Sequence, residues 1–308
     1  MRKLFLLISL TACAVVNLAV FALPDEPEPE GSFADVGDGR AVHFVRHGAG
    51  TRNMVVFMHG LPGTWADFKP IAARLEHQNW VAFDRPGFGD STGGTQPLFD
   101  QAASIRKALA GIGVNDGNPA TFVGHSYGGS LALAIAQRYP RMVKNMLLLA
   151  PGAGGVRADT MDKANARLIQ ITQLPVVEQV SDLLFSNMLL RGATELQEST
   201  AFSPGDVDPA HKRRTLTYTL KDSDLIALKD NLLSSEPDFD RMDAGIGKIR
   251  LPVTVVSGRS DALVDFAHAR RLAADLPNGK LVALEGGHML TYTHAPEVAA
   301  RIREAVRR

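Results

Sequence analysis

Cysteine is nearly absent from this chain. The single one, Cys13, falls within the first 22 residues, so the body of the protein has no thiol. That excludes disulfide staples and cysteine-ligated metal sites, and it says nothing of the redox compartment. Net charge is absent too, with 33 Lys+Arg against 33 Asp+Glu. No basic stripe offers itself to a nucleic acid. No internal repeat is evident, which removes solenoids and repeat arrays. What remains is a chain of 308 residues, 45% hydrophobic and 21% charged, enough for one large domain with an insertion.

One long apolar run is present. Arg2 and Lys3 precede Leu4 to Ala22, weakly interrupted by Thr11 and Asn17, and the acidic, proline-rich stretch from Pro24 to Ser32 follows. A basic start, an apolar centre and an acidic exit read as an export signal over residues 1–22, with a linker over 23–32. Spanning a bilayer needs about 20 apolar residues, so attachment to a membrane through residues 4–22 competes with cleavage near Ala22. A third route, lipid attachment at Cys13, is suggested by Leu10-Thr11-Ala12-Cys13, which resembles a bacterial lipobox, although the residues after Cys13 stay apolar. The expectation is an exported protein, periplasmic or extracellular.

The chemistry is concentrated in Gly124-His125-Ser126-Tyr127-Gly128-Gly129. It follows the apolar run Thr121-Phe122-Val123 and precedes a helical stretch from Ser130 to Tyr139. A serine on a sharp strand-to-helix turn occupies a strained backbone conformation, and bulky flanks would collide with the neighbouring strand and helix. The pattern reads as a nucleophile elbow, against the plainer reading of a capping serine at a glycine-rich corner.

Two later segments decide between them. The β-branched run Leu251 to Val256 ends in Ser257-Gly258-Arg259-Ser260-Asp261, which puts Asp261 in a loop just past a strand end. Lys280 to Leu284 ends in Glu285-Gly286-Gly287-His288-Met289, which puts His288 in a glycine-flanked loop after the last strand. Ser126, Asp261 and His288 then supply nucleophile, orienting acid and base, in an order that differs from those of the other familiar serine hydrolases. Competing acids are Asp265, read as a helix-start charge, and Glu285, read as a solvated loop carboxylate. Among the other histidines, His125 is expected to point away along the turn. His43, His47, His77, His211 and His268 are expected to be structural or solvated, and His294 to open the C-terminal helix before Pro296.

With these residues the chain resembles the α/β-hydrolase fold superfamily, as a serine hydrolase with a helical cap, over most of Gly31 to Arg308. Met54 to Met58 leading into His59-Gly60-Leu61-Pro62-Gly63 resembles the family's oxyanion loop, and Asp84 to Ser91 its glycine-rich turn. The resemblance implies a mostly parallel central sheet flanked by helices, over residues 33–308, with a helical cap inserted at about 152–248. It also implies two oxyanion donors, the N–H groups of Leu61 and Tyr127, since Pro62 has none to give. Relatives that use an aspartate nucleophile, the epoxide hydrolases and haloalkane dehalogenases, are set aside by the serine at position 126.

Within the insertion, Val176, Val177, Val180, Leu183, Leu184, Met188 and Leu189 recur at helical spacing. Leu225, Ile226, Leu228, Leu232 and Leu233 do so again, with Asp208-Pro209 as a helix start between them. Trp65, Phe68 and Met289 are candidates to line a substrate pocket, with packing as the competing role. The expected activity is hydrolysis of a carboxylic ester of a small or medium apolar compound through an acyl-enzyme, with no metal or organic cofactor required. The alternatives are an amidase or proline-iminopeptidase-like peptidase, a carbon–carbon bond hydrolase, or a non-catalytic binder that keeps the fold. An acidic cap residue able to hold a substrate amine, from Glu178, Asp182, Glu195 or Glu198, would favour the peptidase.

Overall fold

In a computed structural model the chain is described over residues 30–153, 186–219, 227, 231 and 237–307. The N-terminal apolar run, Glu178, Asp182 and the side chains of both apolar stripes of the insertion lie outside the described residues. No helix among the described residues is long and apolar enough to cross a membrane.

Eight strands form one sheet: β1 (Ser32–Gly37), β2 (Arg40–His47), β3 (Val55–Met58), β4 (Trp80–Phe83), β5 (Ala120–His125), β6 (Val143–Leu149), β7 (Val253–Gly258) and β8 (Gly279–Leu284), in the order β1-β2-β4-β3-β5-β6-β7-β8. β2 runs antiparallel to both neighbours, and from β4 to β8 every pairing is parallel. The β1–β2 hairpin turns through Asp38 and Gly39, both at positive φ, the two-residue turn that suits the twist of paired strands.

β3, β4 and β5 are buried at every residue, as strands covered on both faces must be. Their side chains alternate between two cores: Val56 and Met58 go to one, Val55 and Phe57 to the other. The first core lies under α1 (Leu98–Gly111), α2 (Tyr127–Arg138) and the later helix α5 (Phe266–Asp275). The second lies under the Trp65–Phe68 turn and α6 (Ala295–Arg307). On α6, Val298, Ala299, Ile302 and Val306 are buried while Arg303 and Glu304 face solvent, one apolar stripe on a polar helix. The mostly parallel, helix-flanked sheet expected from the sequence therefore forms.

Between β6 and β7 in chain order fall α3 (Ser186–Phe202) and α4 (Pro209–Thr219). Asp208 starts α4 as its sequence suggests, its Oδ1 accepting the His211 N–H at 2.7 Å. The insertion touches the sheet's carboxyl edge directly, because the Ala201 carbonyl accepts the N–H groups of His288 and Met289 at 2.9 and 3.1 Å.

Candidate active site

The strand order reverses between β3 and β5, and a cleft beyond the strand ends at such a point is where open α/β sheets place ligands. Ser126 stands there, half-buried between β5 and α2, with φ 51° and ψ −122°. A non-glycine residue held in this region costs about 1–3 kcal/mol. Three backbone hydrogen bonds hold it: Ser126 N–H donates to the Leu149 carbonyl at 2.9 Å, and its own carbonyl accepts from Gly129 at 2.9 Å and Gly152 at 3.1 Å. The flanking glycines are sterically required. A Cβ on Gly124 would run into the Gly128 carbonyl, and one on Gly128 into the carbonyls of Met58 and His59.

Asp261 and His288 come together at 2.8 Å, Oδ2 to Nδ1, both buried. The other carboxylate oxygen, Oδ1, accepts the N–H groups of Leu263 and Val264 at 2.9 and 2.8 Å. Burial pushes the Asp261 carboxyl up, but the His288 charge and hydrogen bond, with those two N–H groups, outweigh it and hold it below the usual carboxylate range. Asp261 is thus an anion that fixes Nδ1 of His288 as the protonated nitrogen, which leaves Nε2 to accept a proton. Asp265 instead caps α5 through the Ala267 N–H at 2.7 Å. Glu285 is 85% exposed and pairs with Arg259.

His125 does not point away. Its Nε2 lies 3.1 Å from the His288 carbonyl oxygen, and the two rings are 4.8 Å apart. The expectation fails because the end of β5 faces the loop after β8, whose His288 carbonyl takes the His125 ring. Burial first, and then the neighbouring His288, lower the His125 pKa to about 4, so this ring is neutral near pH 7.

The His59–Gly63 loop passes over the serine: a Cβ on Gly60 would stand 3.0 Å from the Ser126 Cβ. His59 is fully buried; its Nε2 accepts the Arg85 N–H at 2.9 Å, so Nδ1 carries the proton and donates to the Gly60 carbonyl at 2.9 Å. Burial and the Arg85 charge lower its pKa to about 3, so it shapes the loop as a neutral ring. Leu61 packs at the edge of the first core, and among the described residues its N–H has no hydrogen-bond partner. Tyr127 opens α2, where a helix leaves its first N–H groups unsatisfied.

The expected pocket residues divide. Phe68 is 1% exposed and its ring lies 4.7 Å from that of Phe57 in the second core. Trp65 packs in the same core, with the Lys69 ammonium 4.5 Å from its ring. Both serve packing, because the turn that carries them lays its apolar side on the sheet. Met289 packs with Ala201 and Phe202 where the insertion meets the loop after β8.

Two buried polar groupings have no signal in the sequence. Arg85, fully buried, donates to the Gly60 carbonyl at 3.0 Å and to Gln101 and Asn231. His211 sits 2.6 Å from Glu198 and 3.4 Å from Asp67, all three buried; the second contact is an ion pair rather than an aligned hydrogen bond. Glu198 is therefore already neutralised. Of the described residues, His43, Asp84 and Asp90 alone bring three metal-type ligand atoms within 4.8 Å. His43 spends both ring nitrogens there, on Asp84 and on the Glu30 carbonyl, each at 2.7 Å, which leaves no imidazole lone pair for a metal.

The model of the alpha/beta hydrolase fold family matches residues 53–295. The chain belongs to the α/β-hydrolase fold family. A 2-hydroxy-6-oxononadienedioate/2-hydroxy-6-oxononatrienedioate hydrolase from Paraburkholderia phymatum is 27% identical over 273 residues, covering 82% of this chain and 86% of the relative. A 2-hydroxy-6-oxo-2,4-heptadienoate hydrolase from Pseudomonas putida is 28% identical over 244 residues, covering 73% and 78%. Of the solved structures, an esterase from Exiguobacterium antarcticum shares the fold with a TM-score of 0.73 at 19% identity, over 90% of this chain and 100% of that one. With family and relatives together, the protein is a hydrolase.

Proposed function

We propose that this hydrolase cleaves a carboxylic ester of a small or medium apolar compound, with Ser126 as nucleophile, His288 as base and Asp261 as its orienting acid. The observation that carries the reading is the Asp261–His288 contact at 2.8 Å, together with a serine held at φ 51° whose neighbour His125 is hydrogen-bonded to the His288 carbonyl. As Ser126 Oγ attacks the substrate carbonyl carbon, its proton passes to His288 Nε2 and the carbonyl electron pair moves onto oxygen. The N–H groups of Leu61 and Tyr127 take that negative charge, each worth about 3 kcal/mol. Collapse expels the alcohol with the proton from His288 and leaves an acyl-enzyme. Water then repeats the sequence, giving its proton to His288 and its oxygen to the acyl group, and Ser126 recovers the proton. Asp261 stays ionised throughout and stabilises the imidazolium. Met289 is the remaining proposed lining residue.

A second reading, cleavage of a carbon–carbon bond next to a carbonyl in an unsaturated oxo acid, is favoured by the names of the two relatives. Of the acidic residues that would favour the peptidase, Glu198 is paired with His211 and not available to a substrate amine, and Glu195 pairs with Lys212 at 3.4 Å. The test is a rate series over p-nitrophenyl esters of rising acyl length and a 2-hydroxy-6-oxo dienoate, on wild type and Ser126→Ala. Turnover of esters that disappears in the variant supports the ester reading. Turnover of the dienoate alone replaces it with the carbon–carbon reading, and activity retained by Ser126→Ala removes both.

A further inference from the structure

We propose that Arg85 is a positioning residue for the oxyanion site: it holds the Gly60–Leu61 peptide in the one orientation that aims the Leu61 N–H at the serine. The inference rests on the acyl-transfer chemistry proposed above. The Gly60–Leu61 peptide is trans, and in a planar trans peptide the carbonyl and the N–H point in opposite directions. Whatever fixes the Gly60 oxygen therefore fixes the Leu61 N–H.

Two donors hold that oxygen, Arg85 Nη2 at 3.0 Å and His59 Nδ1 at 2.9 Å, and Arg85 governs both. It gives the first directly. It secures the second by donating its own backbone N–H to His59 Nε2 at 2.9 Å, which puts the imidazole proton on Nδ1 where the Gly60 carbonyl can accept it. A flipped peptide would turn the Gly60 carbonyl towards the developing oxyanion and abandon both hydrogen bonds inside the protein, where unmade hydrogen bonds are costly.

The guanidinium cannot swing away. Nη1 donates to Gln101 Oε1 at 3.1 Å and to Asn231 Oδ1 at 3.3 Å, and the planar group lies 4.3 Å from the ring centroids of both Phe88 and Tyr127. Tyr127 supplies the second proposed oxyanion donor, so one buried side chain is in contact with both halves of the site. Only a planar fork reaches the Gly60 carbonyl and the Gln101–Asn231 pair at the same time.

The test compares the full-length wild type with Arg85→Gln, Arg85→Lys and Ser126→Ala, after circular dichroism has shown each to be folded. Three quantities are read: kcat and KM on a p-nitrophenyl ester, the affinity of a trifluoromethyl ketone that adds reversibly to the serine, and the rate at which a fluorophosphonate labels Ser126. Arg85→Gln is expected to lower kcat on the order of 10²-fold, the loss of one oxyanion donor, with KM little changed. The ketone should weaken in parallel with kcat, and Arg85→Lys should recover part of both. A merely structural role would not link kcat to the ketone in this way. A rise confined to KM, ketone affinity unchanged while kcat drops, or wild-type rates in Arg85→Gln would each overturn the proposal and leave the hydrolase mechanism standing. A wild type that neither turns over esters nor labels at Ser126 would sink the mechanism, and this proposal with it. If Arg85→Gln does not fold, Gln101→Leu, which removes one anchor of the guanidinium, should show a smaller fall in the same two linked quantities; no fall would overturn the proposal.

Discussion

His125 Nε2 is hydrogen-bonded to the carbonyl oxygen of His288 at 3.1 Å, so the residue before the proposed nucleophile props the loop that bears the proposed base. The same carbonyl accepts the Leu290 N–H at 2.9 Å, and His125→Leu would not leave it orphaned. The variant is expected to fold, to lose about 1 kcal/mol of stability and to lower kcat about tenfold through a looser base. Stopped-flow measurement of the acylation burst checks this, and a burst rate equal to wild type would show that the prop is dispensable.

Three buried histidines give the stability of the fold opposite slopes on either side of neutrality. His59 and His125, lowered to about 3 and about 4 chiefly by burial, stay neutral in the folded chain while their unfolded forms take up protons below about pH 6.5. Stability should therefore fall as the pH drops below that value. His211 behaves in the opposite sense. Burial alone would lower it, but Asp67 and Glu198 raise it to about 9, and Thr215, Arg214, Asp208 and Tyr292 are polar neighbours besides. Its contribution is fully present below about pH 6.5 and is lost as the pH rises through about 9. Urea midpoints should peak between these limits. His211→Gln should cost about 3 kcal/mol near neutrality and flatten the alkaline limb; an alkaline limb as steep as wild type would refute the assignment.

Gly128→Ala should be among the most damaging single methyl additions to this chain. The new Cβ would press on the carbonyls of Met58 and His59, which are backbone atoms at the end of a fully buried strand and cannot rotate aside. Moving them moves Gly60 and Leu61. A destabilisation above about 2 kcal/mol with loss of ester turnover is the expected outcome, read from a urea titration and a rate assay on the same sample. Gly111→Ala, at the end of α1 where an added Cβ would meet nothing within 4 Å, is the matched control.

These cases show what could be read ahead of the structure. The elbow was legible because its requirement is local: residues two positions on either side of Ser126 must be small, and the sequence prints that directly. The helix starts at Asp208 and Asp265 are local in the same way. His125 was not, since what it faces arrives from 163 residues further along the chain, and adjacency within a turn does not reveal the neighbour across it. Arg85 and the Asp67–His211–Glu198 group were hidden for another reason. Charged side chains default to solvent, and a buried charge leaves no period in the sequence when its partners lie on other elements. Phe68 shows the converse error, in which closeness to the His59–Gly63 loop in sequence suggests a lining role while the turn's geometry turns the ring into the core.

Asp261→Asn separates orientation from mere proximity. In the native arrangement Oδ1 is committed to the N–H groups of Leu263 and Val264, and Oδ2 accepts the proton of His288 Nδ1. An asparagine has one oxygen for these two tasks. The two backbone donors claim it, so the NH2 group must face His288 and can only donate. Nδ1 is then forced to accept, the imidazole proton moves to Nε2, and the nitrogen that should take the serine proton already carries one. The expected result is a fall in kcat of about 10⁴-fold with a melting temperature close to wild type, since shape and hydrogen-bond number are preserved. Asp265, which caps α5, and the exposed Glu285 are placed where neither can substitute for it. A loss smaller than about tenfold would mean that the Asp261–His288 contact serves stability alone, and the proposed triad would have to be abandoned.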